Sequence, residues 1–176
     1  MNPSKIDIDR NISKLRVNSS EFLNLDKATL ITLLQQTIEN IKTISYYWAT
    51  LASEKKGILH KSKEGEEWIG GPFACIYALQ YFIDSLQDEG DLDKSKFDES
   101  KKSYKVFPTK SIEKLLFPFL EGEIRFGKNL SFEQINEFRG FANRFKNNKP
   151  KITLILGAGN VSSIPILDAL FHMIAY

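Results

Sequence analysis

The residues with the most chemical potential stand together near the end of the chain, in Gly157-Ala158-Gly159-Asn160. Glycine permits positive φ and close backbone approach, and a helix that follows such a turn offers unpaired N–H groups to an anion or to developing negative charge. Asn160 adds a side-chain NH₂ donor at the same place. As a dinucleotide fingerprint the spelling is incomplete. Gly157-x-Gly159-x-x-Ser162 lacks the third glycine, and no acidic ribose ligand follows in so short a remainder. On the residues alone, nucleotide contact and a plain strand-to-helix turn stand side by side.

Other tempting side chains read as structural. Cys75 is the single cysteine and lies on one apolar stripe with Phe73, Ile76 and Leu79, without a histidine or cation beside it in sequence to lower its pKa. It reads as core. His60 and His172 are far apart in sequence, and a zinc site needs three or four ligands, so no metal is expected. Glu64, Glu66 and Glu67 read as a solvated acidic loop. Tyr46, Tyr47, Trp48 and Tyr81 recur at helical spacing and read as core aromatics.

The elements that position these residues follow from periodicity. After the N-cap candidate Asp26, Leu30, Leu33, Leu34, Ile38, Ile41, Ile44, Trp48, Leu51 and Ala52 predict one long helix, ending near Lys55-Lys56-Gly57. Gly70-Gly71-Pro72 announces a second helix, carrying Phe73, Ile76, Tyr77, Leu79, Phe82, Ile83 and Leu86 and stopping at Gly90. Residues 91–103 read as a solvated loop. Lys105-Val106-Phe107-Pro108 reads as extended, Ser111 as the cap of a short helical turn through Leu116, and residues 121–126 as a strand. Ser131 with Gln134 spells a capping box before Ile135, Phe138, Phe141, Ala142 and Phe145, with a stop at Asn147-Asn148-Lys149-Pro150.

The last segment changes class. Ile152-Thr153-Leu154-Ile155-Leu156 is apolar on both faces, as in a strand buried in a parallel sheet, and Val161 onward reads as helical through Ile164, Leu167, Leu170, Phe171 and Ile174. Strand, glycine turn and helix open a βαβ unit, which needs a further parallel strand after its crossover helix. The sequence ends inside that helical pattern at Tyr176, so the expectation is an incomplete domain, truncated or completed by another polypeptide.

Composition bounds the possibilities. The chain has 176 residues, 42% of them apolar, with 24 basic and 22 acidic side chains. This is the make-up of one folded domain or part of one, and it excludes disorder along the whole chain. No Lys/Arg block reaches the length that coats nucleic acid or anionic membrane, so no nucleic-acid partner is expected. The interleaved charges of residues 1–20 exclude a secretory core, and no apolar run approaches the ~20 residues that span a bilayer. With one cysteine no intrachain disulfide can form, and the expected location is cytoplasmic.

The stretch Leu154-Ile-Leu-Gly-Ala-Gly-Asn-Val-Ser-Ser-Ile-Pro-Ile-Leu-Asp-Ala-Leu-Phe171 resembles the first strand-turn-helix of the cofactor domain in the aldehyde dehydrogenase superfamily, above all its acyl-CoA reductase-like branch. Upstream, Trp68-Ile-Gly-Gly-Pro72, Val106-Phe-Pro, Leu115-Leu-Phe117 and Glu123-Ile-Arg-Phe126 are similar in order and spacing to that branch, so the resemblance covers residues 27–176. It implies a helix-rich α/β fold: an N-terminal extension (1–26), a helical region (27–90), a loop and short-strand excursion (91–130), and a helix leading into a Rossmann-like domain (131–176). It further implies NAD or NADP as cofactor, an aldehyde or acyl thioester as substrate, and Asn160 as donor to the oxyanion of a thiohemiacetal. Gly157, Ala158 and Gly159 would line the nicotinamide side. Many members carry an aromatic residue before the asparagine and a proline two after it, whereas here Gly159 precedes it and Pro165 lies five beyond. The family's nucleophilic cysteine, general-base glutamate and pyrophosphate loop lie beyond the equivalent of Tyr176, which implies that this portion is silent alone. The excursion at 104–127 matches a region through which subunits associate, implying a homo-oligomer. The rival expectation is a non-catalytic helical module that docks on a partner chain.

Overall fold

The computed structural model describes residues 5–58, 60–88, 90–139, 150–157 and 159–174. They form a helix-rich chain with one small three-stranded antiparallel sheet. The described residues fall into two compact units, one made of 5–88 with 150–174 and the other of 90–139.

The first unit begins with helix α1, Lys5–Leu23, where the sequence announced only an extension. Helix α2, Lys27–Lys55, starts as expected: Asp26 stays extended and its carboxylate accepts from the Thr29 N–H at 2.7 Å. Gly57 just beyond its end takes φ +71°, the left-handed conformation that closes a helix. The core forms where Leu34, Ile38 and Ile41 of α2 meet Cys75, Leu79 and Ile83 of α4, Ala74–Gln87. Leu167, Leu170 and Ile174 of the last helix, α7 (Ile164–Ile174), pack against this cluster.

Toward its C-terminal end α2 departs from the apolar stripe read in the sequence. Ser45, Ala49 and Ser53 are buried there, whereas Ile44, Tyr46, Tyr47 and Leu51 are exposed. The small side chains let a second backbone come close, and α2 packs on α3 (Gly65–Trp68) and on the π-helical turn Ile69–Phe73. Tyr46 and Tyr47 are therefore surface residues, not core. Glu67, assigned to a solvated loop, is buried in α3 and paired with Lys56 at the end of α2. A carboxylate is retained inside because the ammonium compensates its lost hydration.

In the second unit, β1 (Phe97–Asp98), β2 (Ser103–Phe107) and β3 (Gly122–Arg125) pair in that order, all antiparallel. Tyr104 lies opposite both Phe97 and Ile124, and a bulge interrupts the β2–β3 register between Lys105 and Phe107. Residues 91–103 are thus not a plain loop. Asp98 accepts from the N–H groups of Ser100 and Lys101, turning the chain from β1 into β2. Helix α5, Ser111–Leu116, is capped from Lys110, one residue earlier than expected. The buried carboxylate of Glu113 accepts from the N–H groups of Thr109 and Lys110, at 2.6 and 3.0 Å, which fixes that entry. Helix α6, Phe132–Phe138, has the expected capping box between Ser131 and Gln134. Its predicted continuation through Phe141, Ala142 and Phe145, and the stop before Pro150, lie outside the described residues. Phe97, Phe126 and Phe132 supply an aromatic core.

Residues 152–156 have no ladder partner among the described residues. Leu154 and Leu156 are 81% and 83% exposed, so the expected burial inside a parallel sheet is not present here. The only strands among the described residues belong to the other unit and pair with one another.

Leu79 is fully buried at the centre of the first unit. Leu79→Ala should destabilise it by about 2–5 kcal/mol, the usual cost of an unfilled aliphatic site. A urea midpoint that does not move would show that α2 and α4 do not share one core.

Candidate functional site

The conformation of the Gly157–Asn160 turn has two separate causes. Gly159 stands at φ +76°, where a Cβ is disfavoured, and no heavy atom comes within 4 Å of where that Cβ would be. Gly157 is glycine for another reason: a Cβ there would sit 2.5 Å from Cγ of Pro165. The proline ring folds back onto the turn and occupies the space a side chain would need. Ala158 lies outside the described residues. Asn160 is exposed and its amide has no hydrogen-bond partner among the described residues.

Helix α7 starts later than expected, at Ile164 and not at Val161. Two long-range hydrogen bonds hold the intervening residues. The Trp48 Nε1–H donates to Ser162 Oγ at 2.8 Å, and the Ser163 N–H donates to the Gly70 carbonyl at 3.3 Å. Ser163 then opens the helix, its carbonyl accepting from the Leu167 N–H at 2.9 Å. Asn160 consequently precedes the first turn of α7 by several residues, and its amide stands on the turn itself.

The opposite wall of this contact is the Trp68-Ile-Gly-Gly-Pro72 segment. A Cβ on Gly71 would lie 3.3 Å from Ser162 Oγ and 3.4 Å from Trp48 Nε1, and one on Gly70 would lie 3.6 Å from Val161 Cγ1. Gly71 adopts φ −121°, ψ −108°, outside helical geometry, and Pro72 beside it has no N–H to give to a helical bond. The helix therefore widens into a π turn before α4 begins. Two stretches read separately in the sequence thus meet in space. Trp48, Ser162 and Pro165 were not singled out as site residues. A tryptophan carries one N–H that needs an acceptor when buried, and that was the available signal for Trp48.

The remaining candidates take no part in this contact. Cys75 is fully buried in the core, and burial pushes its thiol up to about 11. It is the opposite of an activated nucleophile. His60 and His172 are exposed, and no group of three or more metal-ligating side chains occurs among the described residues. The resolved carboxyl shifts are all downward: hydrogen bonds from Ser95 and Ser100 hold Asp93 and Asp98 low, Arg125 does so for Glu123, and Lys94 for Glu133. None of these carboxyls is poised as a general acid near neutrality. An apolar cavity of about 380 Å³ lies between α1, residues 150–155 and α7, with Phe22, Ile155 and Met173 among its walls.

Two measurements test this geometry. Gly157→Ala should destabilise the first unit by about 1–3 kcal/mol through overpacking, and Pro165→Ala in the same chain should recover part of that loss. Strict additivity in the double-mutant cycle would remove the ring contact. Cys75 should resist maleimide in the folded chain and react once unfolded. Because its folded pKa is raised, the folded state keeps a proton that the unfolded thiol releases. Stability should fall as pH rises from the ordinary thiol value of 9.0 toward about 11. Fast labelling of the folded chain would contradict the burial.

Comparison of the chain with family models, with curated proteins and with solved structures finds no match.

Proposed function

We propose that this chain contributes the oxyanion-donor turn of an NAD(P)-dependent aldehyde dehydrogenase or acyl-CoA reductase-like oxidoreductase, within a Rossmann-like domain of which residues 152–174 are the first part. The observation that supports this reading most is the seating of Val161, Ser162 and Ser163, directly after Asn160, against Gly70 and Gly71 of the Trp68-Ile-Gly-Gly-Pro72 stretch. Both stretches carry the resemblance, and they come from distant parts of the sequence. Asn160 itself stays exposed beside this contact.

The fit to a nicotinamide cofactor is by open space at one glycine only. No heavy atom lies within 4 Å of where a Cβ on Gly159 would be, whereas the equivalent space at Gly157 is filled by Pro165. When bound, the cofactor supplies or accepts hydride. The chain's own part is to hold an amide donor where negative charge gathers on the substrate oxygen, a term that acts on the transition state because the donor is already in place. Trp48 holds Ser162, two residues beyond that donor. The nucleophile does not come from these residues, since the single thiol is sealed in the core.

Nicotinamide mononucleotide added to the isotope-labelled chain should shift the backbone amide signals of Gly157, Gly159 and Asn160 and leave those of the second unit in place. Shifts confined to other regions, or none near saturation, would remove the cofactor reading. Aldehyde-dependent reduction of NAD(P) by the chain alone should be absent. Turnover abolished by Cys75→Ser would reverse the assignment of that thiol.

A second reading, a non-catalytic module that docks on a partner chain, draws on the exposed Leu154 and Leu156 and on an α7 with no buried residue. Light scattering separates the two readings. A monodisperse particle with no nicotinamide response favours the module.

A further inference from the structure

We draw no further inference here: the strongest candidate, the apolar cavity of about 380 Å³ between α1, residues 150–155 and α7, has exposed walls at Leu15 and Met173, and nothing in the structure shows what fills it.

Discussion

The first unit depends on a contact between two backbones that glycine allows to come close. Gly70 and Gly71 leave no side chain between the π turn and residues 161–163, and the Trp48 indole reaches Ser162 through the opening. A hydrogen bond of this kind contributes about 1 kcal/mol net. Its geometric role is larger, because it joins α2, the turn before α4 and the start of α7 at one point. Replacement of Gly71 by a larger residue would press these elements apart, since its nearest neighbours include a rigid indole.

Much of the helical frame was legible in the residues. Asp26, Gly57, Ser131 and Gln134 act locally, and local rules place them correctly. Periodicity placed Leu34, Ile38 and Leu79 in the core and Cys75 beside them. The later half of α2 was misread because apolar periodicity looks for large side chains, whereas close helix approach selects small ones such as Ser45 and Ala49. Glu67 was misread for a related reason. A charge in sequence is assumed solvated, and the cation that allows its burial, Lys56, lies on another element.

The turn at 157–160 shows the same division between local and distant causes. Its positive φ could be anticipated from Gly159 alone, but the need for glycine at 157 comes from Pro165, folded back across the turn. The later start of α7 likewise follows from hydrogen bonds to Gly70 and Trp48, partners far away in sequence. Sequence spelling marks where a turn occurs, and tertiary contact decides which groups remain available in it. Here the outcome is an exposed amide at Asn160 followed by two serines, Ser162 and Ser163, held by Trp48 and Gly70.

The uncovered run at residues 152–156 has a consequence for how the chain behaves in company with itself. Five β-prone residues without charge or proline, two of them more than four-fifths exposed, have the make-up of a segment that stacks into cross-β layers. Pro150 and Lys151 stand directly before it and Gly157 directly after. Proline withholds a ladder donor, lysine repels its copies in a stack, and glycine weakens strand propagation. These three residue types are the ones that oppose stacking of a strand with its copies.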